Sequence, residues 1–133
     1  MSEETTPRNR LKVLYLEDDE LDALLALKAL KEEYPEVDLH LVYSEKAFES
    51  AIRDRPYDVI LSDSSVPGFD GMTALGMAKR IRPEIPYIFF SGSTANKPRA
   101  VAQGATDFLG KNDPEGLVEA IRKALGYKKR DVE

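Results

Sequence analysis

Five short apolar segments run along this chain, and each is followed by a longer segment of mixed polarity. The apolar runs at Lys12–Leu16, 59–61 and Tyr87–Ser91 are nearly continuous, which is typical of strands covered on both faces of a parallel sheet. Residues 106–109 predict a shorter strand. Residues 37–43 instead alternate apolar and polar side chains, so we expect that strand at a sheet edge, where one face meets water.

The segments between these strands predict helices. Residues 21–34 repeat apolar side chains at helical spacing and predict one broad buried face, made of Leu21, Leu24, Leu25, Leu27, Leu30 and Tyr34. Further helices are expected at 44–54 with Ser44 as N-cap, at 71–81, and from Asp113 and Pro114 to Gly126. His40 lies on the polar side of the alternating strand, where we expect a plain surface residue.

The polar stretch 92–103 has room for roughly two helical turns, because Pro98 lies inside it. Its apolar side chains are few and small, namely Ala100, Val101 and Ala102. A helix of this length is not stable alone, so its order must come from packing. We therefore expect a short fourth helix that is the least protected part of the domain.

Five repeats of strand and helix predict an α/β fold, with a parallel sheet and helices on both of its faces. The edge-like second strand fits the flavodoxin-like order 2-1-3-4-5. We expect a flexible lead-in at residues 1–10, one domain at 11–126 and a charged tail at 127–133.

Composition narrows the classes of function. The net charge of −5 argues against a nucleic-acid partner, and the absence of cysteine excludes disulfides and thiolate metal sites. No stretch approaches the roughly 18 apolar residues of a membrane span, and the polar N-terminus does not resemble a secretory signal. We therefore expect a cytoplasmic protein with no membrane partner.

Chemically active side chains follow four of the predicted strands. Glu17 and Asp18 end the first, Asp63 the third, Ser91 the fourth and Lys111 the fifth. Because the carboxyl ends of parallel strands meet at one rim of the sheet, where ligands bind, we expect these groups to converge. One acid at a strand end is as consistent with capping a turn, but five such groups together favour a site.

Three converging carboxylates repel one another, so without a cation at least one pKa should be raised. Mg²⁺ is the cation that such a site suits, because it accepts one or two carboxylates while it keeps waters and substrate oxygens. A carboxylate beside Mg²⁺ and a lysine can act as the nucleophile in phosphoryl transfer and become an aspartyl phosphate.

The chain resembles the receiver domain of two-component response regulators over residues 11–125. The resemblance rests on an ordered set of motifs: Leu16-Glu17-Asp18-Asp19, Leu61-Ser62-Asp63 with Pro67 and Asp70-Gly71, Phe90-Ser91-Gly92, and the run from Gly104 to Lys111. It implies that Asp63 is the phosphoacceptor and Lys111 the active-site lysine. It also implies that Asp18 binds Mg²⁺ directly and Glu17 through water, while Ser65 lends its backbone carbonyl.

Two further roles follow from the resemblance: Ser91 turns to bond the phosphoryl group, and Phe108 is the aromatic that changes rotamer. Phe108 has no hydroxyl, so its link to Ser91 must be by packing. The family usually has proline after its lysine, often through a cis bond, but here Asn112 follows Lys111, so we expect a trans peptide bond or a strained exception.

The resemblance implies a stand-alone response regulator that takes a phosphoryl group from a sensor histidine kinase or a phosphotransfer protein and signals to a protein target. It implies a phosphoacceptor that assists its own phosphorylation and dephosphorylation rather than an enzyme. The alternative is a receiver-like adaptor that works without phosphate. A haloacid-dehalogenase-like phosphatase would need a second Asp where Ser65 stands, and a dinucleotide-binding enzyme would need glycines where the acids follow the first strand.

Overall fold

Strands and helices alternate strictly in the computed structural model, which describes residues 10–126. The strands are β1 Lys12–Leu16, β2 Asp38–Val42, β3 Val59–Ser62, β4 Tyr87–Ser91 and β5 Asp107–Gly110. The helices are α1 Glu20–Glu33, α2 Glu45–Asp54, α3 Gly71–Ile81, α4 Lys97–Ala102 and α5 Pro114–Ala124. The expected lead-in up to residue 9 and the tail at 127–133 lie outside the described residues.

All strand pairs are parallel, and the sheet has the order β2-β1-β3-β4-β5. The predicted fold class is therefore confirmed, with β2 at an edge. Leu16 is in register with Ser62, and the Asp63 amide donates to the Leu16 carbonyl at 2.9 Å. The polar residues that follow β1 and β3 are thereby brought side by side.

Side chains of the strands alternate between two buried layers. Leu14, Ile60 and Phe89 face the layer that contains α2, α3 and α4, whereas Tyr15 and Leu61 face the layer that contains α1 and α5. Adjacent strand residues point to opposite faces, so continuous apolar runs fill both layers. The two layers fix the sheet from both sides and hold its carboxyl rim in place.

The buried face of α1 differs from the predicted one. Leu30 and Tyr34 are buried as expected and Leu27 is half-buried, but the rest of the buried stripe consists of Ala23 and Ala26. Leu21, Leu24 and Leu25 are instead 63%, 60% and 56% exposed. The helix is rotated about its axis relative to the predicted orientation. The side that faces the core is one i, i+3, i+4, i+7 stripe, formed by Ala23, Ala26, Leu27 and Leu30, and the three exposed leucines lie on the opposite side.

The edge strand β2 also departs from its prediction. Val42 is buried and Tyr43 is exposed, because the strand ends at Val42 and the alternation does not continue. His40 is half-buried rather than a plain surface residue, since its Nδ1 hydrogen-bonds the Tyr57 hydroxyl and the two rings stack. Burial, followed by the nearby Arg55 charge, lowers the pKa of His40.

The short fourth helix is confirmed: α4 has 6 residues and buries Ala100 alone. Its N-cap residue, Asn96, makes no side-chain capping hydrogen bond. Between residues 10 and 126 there is no cis peptide bond, so the bond between Lys111 and Asn112 is trans, as expected. No helix in this part of the chain is both long and apolar enough to cross a membrane.

Candidate phosphoryl-transfer site

Asp63 lies one residue beyond β3, at the rim formed by the carboxyl ends of the strands. Its side chain is 13% exposed, and its Oδ1 accepts a hydrogen bond from the Ser64 amide at 2.7 Å. Gly71, the first residue of α3, lies directly behind it: a Cβ on Gly71 would be 2.3 Å from the Asp63 carbonyl oxygen. The glycine lets the helix approach the strand end closely, and this contact helps to set the position of Asp63.

Glu17 is buried next to Asp63 and is held from several directions. Its amide donates to the Val42 carbonyl at 3.0 Å, and its Oε2 accepts from the Asp19 amide at 3.0 Å. Its Oε1 accepts from the Tyr15 hydroxyl at 3.4 Å. Burial and the negative charge of Asp63 raise the pKa of Glu17, against the opposing effect of the Lys111 hydrogen bond. The expected repulsion among the acids is thus present at Glu17.

Asp18 completes a cluster of three carboxylates. One oxygen from each of Glu17, Asp18 and Asp63 lies within 4.8 Å of the others, and Asp18 is the exposed member. Oxygen donors at this spacing fit a hard divalent cation, which accepts carboxylates and retains waters. A cation also offsets the cost of the buried Glu17 charge.

Lys111, which follows β5, joins the carboxylates. Its Nζ lies 2.7 Å from Glu17 Oε1, 2.7 Å from Asp22 Oδ2 and 3.4 Å from Asp63 Oδ2. Burial alone would lower the pKa of Lys111, but the Asp22 and Glu17 hydrogen bonds and the charge of Asp63 raise it above its ordinary value. Lys111 is therefore a fixed positive charge beside the proposed nucleophile.

Ser91 lies at the end of β4 and is buried. The Ser64 hydroxyl donates to Ser91 Oγ at 3.0 Å, which links it to the residue after Asp63. Phe108 is buried and stacks on Phe89, with 4.8 Å between ring centroids. Ser65 is exposed in the loop after Asp63.

The structure thus brings Glu17, Asp18, Asp63 and Lys111 together, with Ser91 joined to them through Ser64. Sequence reasoning missed two contributors, Asp22 and the Ser64 hydroxyl. It placed Tyr15 near the site but left open whether the ring faces it, as the hydrogen bond to Glu17 shows that it does. Asp22 could have been found from the sequence, because it lies in the first turn of α1 and close in sequence to the acid pair. The hydroxyl and ring contacts depend on side-chain torsions that a strand or loop pattern does not specify.

Comparisons with known proteins cover most of this chain. The family model described as the response regulator receiver domain matches residues 13–122. The Fimbriae Z protein of Escherichia coli K12 is 35% identical over 80 residues, which are 57% of this chain and 38% of that protein. This chain therefore spans less than half the length of that relative.

Solved structures show the same architecture. The receiver domain of the Francisella response regulator 1452 superposes with a TM-score of 0.77 at 25% identity, covering 90% of this chain and 99% of the other. The receiver domain of the sensor histidine kinase PA1611 from Pseudomonas aeruginosa PAO1 has a TM-score of 0.75 at 20% identity, covering 88% and 98%. That structure has a magnesium ion coordinated in its active-site cleft.

Proposed function

Because this chain belongs to the response regulator receiver domain family, we propose that Asp63 accepts a phosphoryl group from a phosphohistidine. The donor is a sensor histidine kinase or a histidine phosphotransfer protein. In the step, an Asp63 carboxylate oxygen forms a bond to phosphorus while the bond from phosphorus to the imidazole nitrogen breaks, and the departing imidazole takes up a proton. The observation that carries this proposal is that Asp63 shares one carboxylate cluster with Glu17 and Asp18 and lies 3.4 Å from the Lys111 ammonium.

Lys111 has the role of stabilising negative charge on the transferring group. Its ammonium lies 3.4 Å from the Asp63 oxygen, within reach of phosphoryl oxygens added there. A positive charge this close to the nucleophile stabilises the negative charge on the phosphoryl oxygens in the transition state. Ser91 supplies a hydroxyl to the same group, and Phe108 moves with it by packing.

The residues present fit Mg²⁺. Asp18 and Asp63 are the proposed direct ligands, with Glu17 acting through water and Ser65 through its backbone carbonyl. Support for this division comes from Glu17, whose two oxygens are already engaged by Lys111 and by the Asp19 amide. When bound, Mg²⁺ neutralises charge as the phosphoryl group transfers. The magnesium in the Pseudomonas aeruginosa receiver supports the choice of ion.

A protein donor is supported by the surface next to the site. The exposed leucines of α1, namely Leu21, Leu24 and Leu25, lie just beyond the acid pair. Contiguous exposed apolar groups mark contacts with other proteins. We propose a cytoplasmic phosphoacceptor that assists its own phosphorylation and dephosphorylation and, once phosphorylated, contacts a protein target through a changed surface.

The competing function is an adaptor that needs no phosphate. The presence of the acid pair, Asp63 and Lys111 in one cluster argues against it. Incubation with a small-molecule phosphodonor tests the proposal: the wild-type protein should be labelled with Mg²⁺ and not after chelation. Asp63→Asn should abolish labelling. Stoichiometric, persistent labelling of that variant would refute the assignment of Asp63.

A further inference from the structure

Asp22 is a fourth acid at the site, and it differs from the other three. Its Oδ2 lies 2.7 Å from Lys111 Nζ, closer than the 3.4 Å that separates Nζ from Asp63. It is not a member of the carboxylate cluster that fits the cation. Among the carboxylates that pair with Lys111 within residues 10–126, Asp22 is thus the one outside that cluster.

We infer that Asp22 is a positioning residue that draws Lys111 away from Asp63, and so favours Mg²⁺ binding while opposing phosphoryl binding. This inference rests on the proposed function. Its basis is that the three N–H donors of the Lys111 ammonium face three carboxylates already, so a phosphoryl oxygen on Asp63 must displace one of them.

The effect on the cation follows from charge. Mg²⁺ and the Lys111 ammonium compete for Asp63, and the two positive charges repel each other. An acid outside the cluster gives the ammonium a partner that the cation does not need. Without the Asp22 charge, Lys111 would remain on the shared carboxylates and the cation would bind more weakly.

The effect on the phosphoryl group has the opposite sign. A phosphoryl group on Asp63 needs the Lys111 ammonium as its own partner, so Lys111 has to leave Asp22 or divide its hydrogen bonds. Asp22 also adds a negative charge near a group that is itself an anion. Removal of the Asp22 charge should therefore strengthen the binding of a phosphoryl analogue once Mg²⁺ is saturating.

The experiment compares Asp22→Asn with Glu20→Gln, which removes the same charge from an exposed position two residues away on α1. Calorimetry measures the Mg²⁺ affinity, and then the beryllofluoride affinity at saturating Mg²⁺. Asp22→Asn should weaken Mg²⁺ binding and tighten beryllofluoride binding, each by about three- to tenfold, as expected for a partly screened charge. Glu20→Gln should change both affinities by less than about twofold, because an exposed charge is strongly screened.

Repeating the comparison in a variant that lacks Lys111 distinguishes the positioning of Lys111 by Asp22 from a direct effect of the Asp22 charge. In Lys111→Gln protein, Asp22→Asn should change the Mg²⁺ affinity by less than about twofold, because no ammonium remains to be drawn away. If Asp22→Asn weakened Mg²⁺ binding as much in Lys111→Gln protein as in the wild type, the positioning role would be overturned. It would also be overturned if Asp22→Asn moved the Mg²⁺ and beryllofluoride affinities in the same direction, or if Glu20→Gln changed them as much as Asp22→Asn does. If the wild-type protein binds both probes and Asp22→Asn changes neither affinity, this inference alone fails. If the wild-type protein binds neither, the proposed function fails with it.

Discussion

Gly71 provides a direct test of how the fold positions the phosphoacceptor, because α3 has a second glycine as a control. An added Cβ at Gly71 would meet the Asp63 carbonyl oxygen at 2.3 Å, a Phe89 ring carbon at 2.7 Å and Ser62 Oγ at 2.9 Å. An added Cβ at Gly76 would meet nothing within 4 Å. The same substitution, glycine to alanine, therefore probes packing at one site and helix propensity at the other.

The two substitutions should change the free energy of unfolding in opposite directions. Gly76→Ala should raise the free energy of unfolding by about 0.8–1 kcal/mol, because alanine loses less backbone entropy in a helix interior. Gly71→Ala should lower it by about 1–3 kcal/mol, the usual cost of overpacking. That cost should outweigh the propensity gain, because the closest contact is with backbone that cannot rotate away. The expected difference between the variants is about 2–4 kcal/mol.

Urea unfolding followed by circular dichroism measures both values, and phosphodonor labelling reports on the site. Gly71→Ala should also slow labelling, because the Gly71 amide donates to the Ser64 carbonyl at 3.0 Å, next to Asp63. Gly76→Ala should be labelled at the wild-type rate. If both variants were equally stabilised and equally labelled, the contact between Gly71 and the Asp63 backbone would not set the position of Asp63.

Two further predictions concern the cation and the fourth helix. Asp18→Ala should weaken Mg²⁺ binding more than Glu17→Ala, because the Glu17 oxygens are already engaged by Lys111 and the Asp19 amide; equal affinities by calorimetry would refute this division of roles. Within the domain at 11–126, hydrogen exchange should be fastest at residues 94–103 before phosphorylation and should slow most there with beryllofluoride. The reason is that α4 buries a single alanine and that a turn of Ser91 would pull on the hinge after β4. Slow exchange at 94–103 in both states would mean that the switch lies elsewhere.

The sheet was predicted well from the sequence. Strands that are covered on both faces have continuous apolar runs, whereas the edge strand alternates apolar and polar residues, so the two kinds can be told apart. The strand order then implied which residues meet, so Glu17, Asp63 and Lys111 were predicted from chain position alone. The rotation of α1 was not predictable in this way. Two apolar stripes run along that helix, and packing of small alanines decides which one is buried.

The hydrogen-bond partners of Lys111 could not all be predicted from the residue pattern either. A lysine has a long and flexible side chain, so its reach to Asp22 depends on torsion angles and on the rotation of α1. The same holds for the Ser64 hydroxyl that bonds Ser91. A residue pattern identifies which elements deliver groups to the rim, whereas the shared hydrogen bonds depend on the assembled structure.

Locating the phosphoryl group tests the central claim most directly. The protein is phosphorylated with a small-molecule donor and Mg²⁺, the acyl phosphate is trapped by borohydride reduction, and the modified peptide is identified by mass spectrometry. Stoichiometric modification at Asp63, absent after chelation of Mg²⁺, is the predicted result. Modification at another residue, or none in protein that is folded and Mg²⁺-saturated, would contradict the assignment of Asp63 as the phosphoacceptor.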